Sequence, residues 1–154
     1  MKYGLFVLSL LFINSAQAVD ITMEIGSGTF YTKDTNLLLL GMTEPADPFL
    51  GMNSYHQLNV GGWTGPRNAS LVGAAKGLQW DFTNTYVRLS TGGSLISNTS
   101  DRLSTAFQFY EQFMVRYNAK GLNIALSYRH WSNAYIKEPN YGMDFLGLQV
   151  EKQF

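Results

Sequence analysis

The stretch "GLNIALSYRHWS", Gly121 to Ser132, alternates by twos: Leu122, Ile124, Leu126 and Tyr128 fall on one parity, and Gly121, Asn123, Ala125, Ser127 and Arg129 on the other. Successive side chains of a β-strand point to opposite faces, so this reads as one strand with an apolar face and a small, polar face. The closing stretch "MDFLGLQVEKQF", Met143 to Phe154, repeats the pattern, with Leu146, Leu148 and Val150 leading to a terminal aromatic. A soluble sandwich would turn such an apolar face inward. A membrane barrel would turn it to lipid and fill its lumen with the polar set.

Working back from these two strands, the same alternation recurs over about ten residues at a time, broken by Gly, Asn, Pro and Asp clusters. It predicts eight strands, at roughly 20–31, 35–43, 52–64, 70–80, 83–95, 103–118, 120–132 and 143–154. Their lengths suit tilted strands of about 9–11 residues crossing a bilayer. An even number of strands can close without leaving an edge. The final strand ending on Phe154 resembles the assembly signal of bacterial outer-membrane proteins. The expected fold is therefore all-β, an eight-stranded antiparallel transmembrane β-barrel. Its interior should be just wide enough for its own side chains, which argues against a solute channel. Two strands rest on thinner patterns: Leu37 to Leu40 is a run of leucines, and the residues around Leu71 show little polar contrast.

At the other end of the chain, Lys2 precedes an apolar run from Gly4 to Ile13 and the small-residue pattern Ala16-Gln17-Ala18. Together these read as a cleaved secretory signal over residues 1–18, leaving 19–154 as one barrel domain destined for the bacterial outer membrane. The run is shorter than the roughly 20 apolar residues of a helical anchor. With no cysteine, an exported domain must draw its stability from packing, backbone pairing or a membrane. Removing Lys2 leaves ten basic residues against eleven acids, and no basic patch suggests nucleic acid.

Parity also decides how to read "RHWSNAYIKEPNYGMDF", Arg129 to Phe145. His130 and Ser132 share the even face of their strand with Leu122 to Tyr128, and Asp144 shares the face of Leu146, Leu148 and Val150. All three should point toward lipid, where polar groups are expensive unless they serve something. Residues two apart on a strand lie about 6.5–7 Å apart at the backbone, near enough for side chains to approach. A histidine can then act as general base to a serine hydroxyl while a carboxylate on the next strand holds its tautomer. Polar residues at a strand end near the head-group boundary are the plainer reading of the same three.

The run His130-Trp131-Ser132-Asn133-Ala134, with Lys137, Pro139-Asn140, Gly142 and an acid at 144, resembles the C-terminal signature of PagL-type lipid A 3-O-deacylases, which are eight-stranded outer-membrane serine esterases. The detailed likeness spans Arg129 to Phe154. It implies Ser132 as nucleophile, His130 as general base, Asp144 as the acid where the family has glutamate, and Asn133 as a contributor to the oxyanion hole. It also implies lipid A, or lipopolysaccharide, as the membrane-borne substrate, ester hydrolysis at the 3-position with release of a 3-hydroxy fatty acid, and no cofactor or metal. Tyr135 stands where the family commonly has glycine. A non-catalytic small barrel of the adhesion or membrane-stabilising kind is the rival reading, and a soluble lipocalin-like binder a weaker third.

Further residues carry expectations of their own. Glu111 falls on the apolar parity of its strand, so a bulge should turn it into the lumen, where it could pair with Arg88, Arg116 and Arg129; its other possible use is to orient His130. Trp63, Trp80 and Trp131 should mark interfacial girdles. Gly26, Gly28, Gly92 and Gly93 should relieve crowding inside a narrow barrel, and His56 should be structural.

Overall fold

The computed structural model describes residues 19–30, 33–100, 102–119 and 122–154. The expected signal over 1–18, the last residue of the first expected strand and residues 120–121 of the seventh lie outside this set. Among the described residues the chain forms eight strands: β1 (Asp20–Phe30), β2 (Lys33–Phe49), β3 (Met52–Thr64), β4 (Ala69–Asp81), β5 (Thr85–Ile96), β6 (Phe107–Ala119), β7 (Leu122–Ser132) and β8 (Met143–Gln153). Each pairs antiparallel with its neighbours in sequence, and β1 pairs with β8, from Asp20↔Gln153 to Gly28↔Phe145, to close the barrel.

Two boundaries differ from the expected ones. Strand β2 runs on to Phe49, past Pro45 and Pro48, because the β2/β3 ladder continues through Pro45↔Tyr55 and then absorbs a register shift between Ala46 and Phe49. Proline is tolerated where a ladder is ending or bulged. Strand β6 begins at Phe107, and residues 102–106 belong to the preceding loop, where buried Leu103 packs over the mouth of the barrel.

Alternation sorts side chains between two environments. Ile21, Met23, Ile25, Leu126, Leu146 and Leu148 stand on the outer wall with about half their surface exposed. The leucine run of β2 obeys the same rule without polar contrast: Leu37 and Leu39 are buried in the lumen, while Leu38 and Leu40 face out. An outer surface this apolar fits hydrocarbon and not water.

The lumen is packed, and it is layered. Toward the end opposite the termini, Trp63, Trp131, Phe145 and Tyr110 form an aromatic plug, with Trp131 centred 6.1 Å from Trp63, 5.8 Å from Tyr110 and 5.5 Å from Phe145. Trp63 and Trp131 are thus core residues and not girdle residues; their inward parity outweighs the interfacial preference of tryptophan, and Trp80 stays on the outer wall. Below the plug Arg129 donates through Nε and Nη2 to Glu24, whose carboxylate also accepts from Ser127. Nearer the termini Arg88 reaches Asp20 and Glu151, Arg116 meets Glu151, and the Tyr86 hydroxyl donates to Glu151. The interior arginines therefore pair with Asp20, Glu24 and Glu151. Glu111 takes no part, because β6 has no bulge there and runs in unbroken register with β5 and β7. Gly26, Gly28 and Gly92 face neighbours inside the wall, whereas a side chain at Gly93 would meet the outward ring of Phe107.

The adjacent leucines of β2 offer a direct check of this sorting. Leu39→Ala should lower unfolding stability in detergent by roughly 2–5 kcal/mol, since it leaves a cavity beneath the plug. Leu40→Ala should lower it less, because lipid or detergent refills the space. Urea midpoints read from heat-modifiable mobility on gels would separate the two, and equal losses would contradict the assignment of faces.

Candidate active site

The outward row formed by β6, β7 and β8 at the end opposite the termini gathers the chemically capable residues. His130 is in direct register with Asp144 on β8, and the two side chains meet, with Nδ1 to Oδ1 at 2.8 Å. Aspartate is long enough here because the pairing is square across the ladder. The carboxylate stays well exposed and the imidazole about one-third so, so both lie on the outer wall. Ser132 follows His130 on the same face, opposite Phe109 of β6. The structure thus brings His130 and Asp144 into contact and sets Ser132 one outward step beyond the histidine, away from the lumen.

Tyr128, read from the sequence only as an apolar-face residue, completes the arrangement. Its hydroxyl donates to the same Asp144 Oδ1 at 2.6 Å. Asp144 is held from two sides, and with Nδ1 engaged the other ring nitrogen of His130 is left for a hydroxyl or a substrate. The signal for Tyr128 was available: a residue two before the histidine shares its face and lies diagonal to residue 144 across the ladder.

The connecting segments hold this edge still. Gly142, just before β8, has φ +66, in the left-handed region that suits glycine. A Cβ there would come within 2.7 Å of His130 Cε1 and 3.1 Å of the Trp131 carbonyl oxygen. Gly142 N–H donates to the Arg102 carbonyl, and Arg102 Nη1 donates to the Gly142 carbonyl, each at 3.2 Å. The loop before β6 is thereby tied to the segment that flanks the imidazole. Ser104 adds a donor to the Lys137 carbonyl at 2.7 Å.

Asn133 is fully buried, and its donor groups are already engaged. Its Nδ2 donates to Ser104 Oγ and to the Lys137 carbonyl, and its N–H donates to Asn140 Oδ1. In this arrangement its amide anchors the 133–140 turn from within and does not point at the outer face where Ser132 sits. Beyond it, Asn133 O accepts from Ile136 N–H, closing a tight turn whose central residues Ala134 and Tyr135 have φ of +50 and +61. Two positive φ values are what a mirror-image type I′ turn demands, and a bulky residue at its second position holds backbone strain beside the serine. The ring of Tyr135 projects into solvent or lipid, largely exposed. His56 lies elsewhere on the outer wall, with Nδ1 3.6 Å from Glu44 Oε1.

A hydroxyl, an imidazole oriented through Nδ1 and a doubly anchored carboxylate are the group types that acyl transfer uses. A family model described as lipid A 3-O-deacylase (PagL) matches residues 40–153. The lipid A deacylase PagL of Bordetella bronchiseptica is 37% identical over 79 residues, which is 49% of this chain and 44% of that protein. The aligned part thus spans under half the length of this curated relative. Among solved structures, the crystal structure of the outer membrane enzyme PagL aligns with a TM-score of 0.68 at 17% identity, covering 86% of this chain and 98% of that one. The N-terminal β-barrel domain of Pseudomonas aeruginosa OprF aligns with a TM-score of 0.62 at 13% identity, over 90% and 98% of the two chains. At these identities the structural likeness speaks for the barrel fold.

Two substitutions test the local geometry. Gly142→Ala should displace the His130 ring from Asp144, read from the imidazole NMR signals, with a loss of folding stability of roughly 1–2 kcal/mol for the left-handed alanine. Tyr135→Gly should relax the turn and raise the urea midpoint by the equivalent of about 0.5–1 kcal/mol; a lower midpoint would mean that the tyrosine ring contributes more than its backbone costs.

Proposed function

The chain belongs to the lipid A 3-O-deacylase (PagL) family, and from that premise we propose that it is an outer-membrane serine esterase that hydrolyses the ester-linked acyl chain at the 3-position of lipid A and releases a 3-hydroxy fatty acid. The observation that carries the reading is the 2.8 Å contact between His130 and Asp144 on the lipid-facing wall, with Ser132 next along the same face. A catalytic group on that wall meets a substrate that never leaves the membrane.

In the proposed reaction His130 Nε2 takes the proton of the Ser132 hydroxyl as Oγ attacks the acyl carbonyl carbon. The imidazolium that forms is steadied by Asp144, itself fixed by Tyr128. Collapse of the tetrahedral intermediate breaks the bond to the sugar oxygen, which leaves with the proton from His130. Water, deprotonated by the same histidine, then attacks the acyl-Ser132 ester and frees the fatty acid. Developing negative charge on the carbonyl oxygen calls for donors beyond the serine. Asn133 serves this step by holding the 133–140 turn, in which the Ala134 and Tyr135 N–H groups follow the nucleophile closely in sequence. No step calls for a metal or an organic cofactor.

A secretory signal over residues 1–18 fits delivery to the outer membrane, where the loops that follow β1, β3, β5 and β7 would face outward. The ester bonds of lipid A lie at that depth. Lipid A from cells expressing the protein should lose the mass of one 3-hydroxyacyl group, and Ser132→Ala should reduce the loss by at least about 10³-fold. Unchanged lipid A in cells carrying the folded, outer-membrane protein would refute the esterase reading. Loss of a secondary, acyloxyacyl-linked chain would refute the position.

A further inference from the structure

Glu111 stands on the outer wall between Phe109 and Phe113, which are themselves exposed. A carboxylate in an apolar band is expensive, and such groups are retained where they serve something. Its register is specific: Glu111 is the direct cross-strand partner of His130, whose other partner is Asp144. Direct partners bring Cβ atoms to about 4.5–5.5 Å, so a glutamate side chain is long enough to reach the ring's edge. The base of the proposed reaction is thus flanked by one acid on each neighbouring strand.

The two acids differ in what they do at rest. Asp144 is bonded to His130 and Tyr128, and Arg102 acts on it electrostatically from the loop before β6. Glu111 has no hydrogen bond or ion pair among the described residues. The cation on its own row, Lys76, lies beyond Thr91 on the far side and holds its ammonium 5.8 Å from the Phe49 ring. The charge that would balance Glu111 is therefore missing until His130 takes the serine proton. At that moment a carboxylate on each side faces the imidazolium, in a setting where water screens little.

We infer that Glu111 is a second acid of this site, a positioning residue that acts on the reaction through His130 by stabilising its protonated form. The inference rests on the esterase reading above. It assigns Glu111 no contact with substrate and no part in folding.

The test uses purified full-length protein in detergent micelles with defined lipid A, reading fatty acid released by mass spectrometry. Glu111→Gln keeps size and hydrogen bonding but removes the charge; kcat should fall by about ten- to a hundredfold with KM within about twofold. Glu111→Asp should recover most of the loss, and Lys76→Met should leave kcat at the wild-type value. Heat-modifiable mobility shows whether each variant is folded, and Glu111→Gln that fails to fold overturns the inference, because the residue would then be structural. Wild-type kcat in Glu111→Gln, a change confined to KM, or an equal loss in Lys76→Met would overturn it too. Ser132→Ala run alongside separates the two levels: if it stays active the esterase reading itself fails, whereas if it is dead while Glu111→Gln is fully active only the role of Glu111 falls.

Discussion

The β1/β8 pairing is the constraint from which the rest of the molecule follows. A strand edge left open in hydrocarbon would expose a row of unsatisfied N–H and C=O groups, each costing several kcal/mol. Closing β8 onto β1 removes both edges and commits every strand to one inward and one outward face. It also fixes the stagger of β8 against β7, and with it the level at which Asp144 meets His130. The polar contact at the candidate site is thus a by-product of backbone pairing around the whole ring, which is why it can be held on an exposed wall without a surrounding core.

The lumen supplies the complementary half of that stability. Where a larger barrel would hold water, this one holds an aromatic plug above the Glu24–Arg129 pair and a second ionic group around Glu151. Buried ion pairs add little net stability over apolar packing, but breaking one by losing a partner is severe. Interior acids and arginines therefore hold each other in place and fix the register. The outward face is left free to carry chemistry.

Much of this was legible in the sequence, and the parts that were not share a physical cause. Alternation broken by turn residues located the eight strands, those at Leu37 to Leu40 and around Leu71 on thinner patterns, and parity alone put His130, Ser132 and Asp144 on the lipid side, since a period of two leaves no other choice. Where composition was weighed against parity, parity won: Trp63 and Trp131 point inward despite the interfacial habit of tryptophan, the leucines of β2 alternate without polar contrast, and Glu111 stays outside although an acid there looked implausible. The closing of the β2/β3 ladder beyond Pro45 and the loop placement of 102–106 depend on pairings between strands, which a single strand's pattern does not contain. The same is true of Tyr128 reaching Asp144 and of Gly142 lying against the imidazole. These are contacts across the ladder, and they become visible only when two registers are known together.

The outward siting of Ser132, His130 and Asp144 has a kinetic consequence. In the proposed reaction the nucleophile on the side wall is met from within the plane of the bilayer, so encounter becomes a two-dimensional search among neighbouring lipids. Its frequency is set by the mole fraction of target molecules in the leaflet and by their lateral diffusion. Enlarging the aqueous volume leaves that frequency untouched, while diluting the leaflet with inert lipid lowers it in proportion.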